Sequence, residues 1–236
     1  MSSPMGDAKD QGARRRRDAR QLGLLALALV VLLVGGGIAV QHWRTSRAPA
    51  AAPATPTASF APVTVTSGQP LVLGQSGARV RLTLYEDFHC PHCADFEEEL
   101  GPTITAEQEA GRVVVELYPM AFIDGGSAAA ANAMACAAES GFGQSYYLGL
   151  FANHTLQWSD SQLLDLAGKV APRVPAGFDS CVKTSAHRSW VESVNAAAAA
   201  KGVNSTPTVF LDGRPVDWTT LTPDTLRQQI DQAARS

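Results

Sequence analysis

Four residues in the run Phe88-His89-Cys90-Pro91-His92-Cys93 can together carry redox chemistry. Two thiols separated by two residues form and break a disulfide with no added group, provided that one of them is a thiolate near neutral pH. The run follows a strand-like segment and opens a helix-like one. Cys90 therefore falls at a helix N-terminus, with Pro91 at the first helical position, where its missing N–H costs nothing. Unpaired backbone donors and the positive end of the helix dipole face the Cys90 sulfur there and stabilise its thiolate. His92 can add a positive charge or a hydrogen bond to the same sulfur. The i, i+3 spacing brings Cys93 onto the same helical face, so Cys90 is expected as the exposed attacking sulfur and Cys93 as its buried partner. A structural zinc site would need two compact ligand pairs, and no second CxxC or HxxxH exists. A purely structural CxxC bridge closes too short a loop to stabilise much.

The elements that must position this pair are legible around it. Val80–Tyr85 (VRLTLY) alternates and is β-rich. Cys93–Gly111 has helix composition, with a kink or break expected at Gly101-Pro102. Arg112–Tyr118 (RVVVELY) reads as a buried strand ended by Pro119. A strand-helix-strand unit implies parallel strands and a right-handed crossover. Helices are expected over Ser127–Ser140, Tyr146–Asn153, Ser161–Val170 and Phe178–Lys201, then a strand over Thr206–Leu211. Asp212-Gly213 is a turn signal, and Thr222–Arg235 is a terminal amphipathic helix. A helical block over about 125–200 is thus inserted into a small α/β framework. Trp158, Trp190, Trp218, Tyr146 and Tyr147 could line a peptide groove, but aromatics at helical positions more often fill the core, which is the expectation here.

Cys-Pro-His-Cys after the first core strand, a helical insertion and a later proline loop together resemble the DsbA-like thiol oxidoreductases of the thioredoxin superfamily. The resemblance covers about residues 63–236 and is closest to the membrane-anchored bacterial members. It implies a thioredoxin-like fold with an inserted helical block. In the loop Lys201–Phe210 it implies that Pro207 is a cis-proline beside the CxxC pair and that Thr206 offers its backbone to a substrate peptide. Two features depart from the family pattern. Thr206 stands where Val is common, as in isomerase-type relatives. Leu84 occupies the position, six residues before the first Cys, where relatives often bury an acid. Glu86 and Asp87 are the nearest acids, and their place beside the strand end predicts solvent exposure. His89 either tunes Cys90 or is solvated. Cys136 and Cys181 are the remaining thiols. In an exported domain an even remainder usually pairs, and related anchored proteins carry such a second bridge, so a structural disulfide is expected. An electron relay to the active pair is the alternative.

Composition and charge bound what else the chain can be. It has 236 residues, of which 45% are hydrophobic and 17% charged, which excludes a mostly disordered chain. Four cysteines are too few for a disulfide scaffold, so the fold must rest on a hydrophobic core. Residues 1–21 carry six basic and three acidic side chains, whereas from residue 48 onward there are 11 basic and 19 acidic ones, a balance of −8. An acidic globular part lacks the clustered cations that bind a phosphate backbone, so nucleic acid is not expected as a partner.

Leu22–Val40 is an unbroken run of 19 apolar or glycine residues. As a helix it would cover about 28 Å, close to the hydrocarbon thickness of a bilayer. Arg14–Arg17 precede it, which predicts a cytoplasmic N-terminus and an exported remainder. A cleaved signal peptide is the competing reading, with Ala48-Pro49-Ala50 as the small-residue site, but signal cores run shorter, about 7–15 residues. The run is read as a single-pass anchor in the lipid bilayer. The Pro/Ala-rich stretch 41–62 is then a tether, and the folded unit spans 63–236.

The expected activity is an extracytoplasmic dithiol oxidase acting on reduced exported proteins. The family implies a membrane reoxidase of the quinone-linked type, and no metal or organic cofactor is needed. A reductase or isomerase of the same fold is the first alternative. A non-catalytic binding or chaperone module with a structural CxxC is the second.

Overall fold

The computed structural model describes residues 29–41, 48–52, 60–75 and 77–235. By contact the chain divides into two units, Met1–Thr45 and Ser46–Ser236. In the first, residues 29–41 form helix α1, with Leu32, Leu33 and Ile38 among its exposed apolar side chains. Residues 22–28 of the expected span lie outside the described residues, and no helix among the described residues is long and apolar enough to cross a membrane.

The second unit is built on a five-stranded sheet, in the order β1-β3-β2-β4-β5. Strand β2 (Val80–Glu86) is central: it pairs in parallel with β3 (Val113–Pro119) and antiparallel with β4 (Thr208–Leu211). Leu84 faces Leu117 on one side and Val209 on the other, and all three are buried. Their burial holds the sheet's register, because a one-residue slip would turn these side chains to the other face. β1 (Leu71–Gly74) adds an antiparallel edge on β3. β5 (Arg214–Val216) closes a hairpin with β4 through Asp212 (φ 46°) and Gly213 (φ 76°), the paired left-handed conformation that the Asp-Gly turn favours.

The parallel β2–β3 pair requires a crossover, supplied by helix α2 (Pro91–Glu109). The expected break at Gly101-Pro102 does not occur, since the helix runs through Pro102. Pro102 and Glu98, whose carbonyl loses its helical donor, are both exposed, so water can take that bond. Between β3 and β4 lie five helices: α3 (Gly125–Glu139), α4 (Gly143–Phe151), α5 (Asp160–Val170), α6 (Phe178–Lys183) and α7 (Arg188–Ala200). The single helix expected over Phe178–Lys201 is therefore two. The Thr184 hydroxyl donates to the Ser180 carbonyl, Ser185 takes a left-handed φ of 49°, and Asn132 Oδ1 captures the His187 N–H at 2.8 Å. Side-chain bonds of this kind compete with helix continuation. Helix α8 (Pro223–Ala233) starts in a capping box at Thr222 and packs against α2.

Part of the stretch expected as a free tether lies on the folded unit instead. Ala50 is buried, its N–H donates to Asp165 Oδ2 (3.0 Å), and its carbonyl accepts from Lys169 Nζ. Asn153 Nδ2 donates to the Ala51 carbonyl (2.9 Å), and Gln162 Nε2 donates to that of Ala48 (3.1 Å). A composition poor in large apolar side chains says nothing about the backbone, and here the backbone is what α5 and Asn153, just past α4, hold.

Candidate active site

Cys90 is the N-cap of α2 and Pro91 its first residue. The Cys90 carbonyl accepts from the Ala94 N–H (3.1 Å), while its N–H donates to the Asp87 carbonyl (2.9 Å). This geometry turns the first backbone donors of the helix toward the sulfur. Opposite them, the Thr206 carbonyl lies 3.4 Å from Cys90 Sγ, and the Thr206–Pro207 peptide bond is cis. The structure thus brings Cys90, Cys93, Thr206 and Pro207 together from sequence positions more than a hundred residues apart.

The two thiols are in opposite electrostatic states. A hydrogen bond from the Cys93 thiol pulls Cys90 down to about 5, against its burial. Bonds from the Thr206 side chain and from the backbone N–H groups of Cys93 and His92 add to that pull. Burial pushes Cys93 far above the ordinary thiol range, as do its hydrogen bond to Cys90 and the nearby charge of Glu86. Cys93 is fully buried, and Cys90, expected to be exposed, is only 6% exposed, with the Thr206 loop over it.

His92 reaches Cys90 through its backbone N–H, not its ring. Its side chain points outward from the first turn of α2, 74% exposed, with Nδ1 3.5 Å from Asp95 Oδ2. The imidazole that is built into the site is that of His89. Its Nδ1 is 2.8 Å from Asp124 Oδ1 and its Nε2 is 2.8 Å from the Leu156 carbonyl. Both partners are acceptors, so the ring makes both bonds as a donor when it is a cation. Although partial burial opposes it, the Ser127 N–H bond and the His89 ring hold the Asp124 carboxyl below its usual range. Gly126 makes room for this arrangement, since a Cβ there would lie 2.3 Å from the His89 ring.

The acids beside the strand end are fully buried, contrary to the exposure expected of them. Asp87 Oδ1 accepts from the His89 N–H (2.9 Å) and the Ser127 hydroxyl (2.7 Å). Its Oδ2 accepts from the N–H groups of Phe122 (2.8 Å) and Ile123 (3.2 Å). With four donors satisfied, Asp87 ties the active loop to the start of the helical block. Glu86 Oε2 accepts from the Tyr147 hydroxyl of α4, and burial holds its carboxyl well above the usual range. The sequence carried one signal for this: the apolar/polar alternation of Val80–Leu84 breaks at Tyr85, and where burial becomes continuous over Leu84–Glu86 the strand is covered on both faces and buries the acid it carries. In the helical block, Cys136 of α3 and Cys181 of α6 are joined in a disulfide.

A family model described as thioredoxin matches residues 66–232. The chain belongs to the thioredoxin family. No curated protein matches its sequence. Among solved structures, oxidised DsbA from Mycobacterium tuberculosis is similar, with 25% identity, a TM-score of 0.62, and coverage of 71% of this chain and 93% of that one. The reduced disulfide bond oxidoreductase DsbG of the same organism shares 25% identity at a TM-score of 0.60, with 73% and 95% covered. MdbA, a thiol-disulfide oxidoreductase from Corynebacterium diphtheriae, shares 23% identity at a TM-score of 0.58, with 75% and 96% covered. With a CxxC pair at the N-terminus of α2, this thioredoxin-family chain is an enzyme of the disulfide oxidoreductase class.

Proposed function

We propose that the chain is an extracytoplasmic dithiol oxidase that introduces disulfides into exported proteins. The observation that carries this reading is the asymmetry of the pair, with Cys90 held at about 5 and Cys93 pushed far up. A thiolate stabilised in the reduced enzyme lowers the energy of that form, which makes the disulfide form a strong oxidant. A substrate thiolate attacks Cys90 Sγ. The Cys90–Cys93 bond breaks, Cys93 leaves with the electron pair, and a mixed disulfide remains. The second substrate thiolate then attacks its own chain's sulfur in that bond, and Cys90 leaves as the stabilised thiolate. The substrate dithiol has lost two electrons and the enzyme has gained them. Thr206 and Pro207 form the wall against which the substrate strand lies. A membrane reoxidase of the quinone-linked type takes the electrons on. Leu22–Val40 anchors the chain in the bilayer, with the N-terminus cytoplasmic.

Equilibration of the Cys90–Cys93 pair against glutathione tests this. A potential of about −120 to −180 mV is expected, and a value near −270 mV would make the chain a reductant instead. Thr206, which stands beside the sulfur where isomerase-type relatives also carry Thr, favours a second reading as an isomerase. Reactivation of scrambled ribonuclease separates the two, because an oxidase leaves it largely inactive.

A further inference from the structure

Beneath the active pair is a line of three buried acids. Glu86 ends β2, Tyr147 is on α4 and Glu97 is on α2. The Tyr147 hydroxyl is 2.5 Å from Glu86 Oε2 and 2.7 Å from Glu97 Oε1. A phenol has one proton, so it can donate to only one of these carboxyls. Both contacts are hydrogen bonds only if one glutamate carries a proton and donates it to the phenol oxygen. Two ionised carboxylates sharing one donor would leave a buried charge without its bond. The line therefore holds two protons over three groups. When both shift together, a proton is carried from one glutamate to the other without heavy-atom movement.

The two ends differ. Glu86 is 0% exposed, its Oε1 has no hydrogen-bond partner among the described residues, and its charge acts on both Cys90 and Cys93. Glu97 is 8% exposed, the less enclosed end of the line. Gly101 keeps the space for its carboxylate, since a Cβ at that position would lie 2.7 Å from Glu97 Oε2. Burial raises Glu97 to about 7, a value suited to loading and unloading a proton near neutrality.

We propose that Tyr147 and Glu97 form a proton relay that reloads Glu86 after Glu86 has protonated the departing Cys93 thiolate. The proposal rests on the Cys90–Cys93 exchange reading. When the enzyme disulfide is attacked at Cys90, Cys93 leaves as a thiolate in a site that disfavours its charge. Glu86 gives it a proton, which leaves both glutamates ionised; Glu97 then takes a proton from water, and the paired shift through Tyr147 delivers one to Glu86. Reoxidation runs the same line outward. No electrons pass along it.

The test is Tyr147→Phe in the full chain, which keeps the ring against Phe88 (6.2 Å between centroids) and Phe151 (5.2 Å). The rate at which dithiothreitol reduces the oxidised protein is followed from pH 5 to 9, alongside the rate of Cys90 alkylation in the reduced protein. The expected result is reduction slowed about tenfold at neutral pH, with the inflection contributed by Glu97 lost and Cys90 alkylation unchanged. Glu97→Gln is expected to do the same and serves if the phenylalanine variant fails to fold. A reduction profile that superimposes on the parent's overturns the relay alone. A parent whose Cys90 alkylates like an ordinary thiol overturns the exchange reading and the relay with it.

Discussion

The Cys90 thiol is held at about 5 in the fold, against about 8.5 for an unperturbed thiol. An acid whose folded value is depressed stabilises the fold where it is ionised in the folded chain and protonated in the unfolded one. That contribution is complete above about pH 8.5, shrinks as the pH falls, and is gone below pH 5. The oxidised form has no such group, and Cys93, raised far above the range, stays neutral throughout. The difference in Tm, reduced minus oxidised, is therefore expected to fall steadily from pH 8 to pH 4.5. A pH-independent difference, measured by calorimetry on both forms, would contradict the depressed thiol. The cysteine pair could be found by motif and spacing, and Thr206 and Pro207 through the family resemblance that the pair carries. His89, Glu86 and Tyr147 could not, because their partners Asp124, Leu156 and Glu97 are brought to them only by folding. The side chain of His92 was misplaced for a simpler reason: at the second helical position it leaves the cap and points to solvent.

Strands β2 and β3 and helix α2 were readable because each is long and strongly patterned. β1 and β5, with four and three residues, are too short to carry a period and owe their existence to the strands they pair with. The separation of α6 from α7 depends on Asn132 of α3 binding the His187 N–H, a contact that local propensity cannot contain. The same region holds the Cys136–Cys181 bridge, which joins α3 to α6 across a sequence separation of 45. Closing such a loop restricts the unfolded chain by about 4 kcal/mol on the chain-entropy estimate. The double substitution Cys136→Ser with Cys181→Ser should therefore lower unfolding stability by roughly 2–4 kcal/mol, read as a shift in urea midpoint at unchanged slope. Cys90 reactivity is expected to stay at the parent level in the folded variant. If Cys90 loses its reactivity, the bridge is an electron relay to the active pair rather than a staple.

The two units of the chain carry opposite charge. Residues 1–21 have an excess of three basic side chains, and from residue 48 onward the balance is −8. Anionic cytoplasmic lipid attracts the first and repels the second, the arrangement expected when Leu22–Val40 crosses a bilayer with the acidic unit outside. The described part of that run presents Leu29, Val30, Val31, Leu32 and Leu33 as exposed side chains. Contiguous exposed apolar surface of this kind requires a partner, and hydrocarbon supplies one for every face of a helix at once. The Ser46–Ser236 unit holds its own first residues through Asn153, Gln162 and Asp165, which places its boundary before Ala48. The full chain expressed in a bacterial cell is therefore expected to stay with the membrane through an alkaline carbonate wash. A chain lacking residues 1–45 should be released while keeping the parent's Cys90–Cys93 potential. The intact mass of the membrane-extracted protein decides between the two forms of export. A full-length mass supports the retained anchor, and a mass matching a start near Ala51 would mean that the run is a signal removed after translocation.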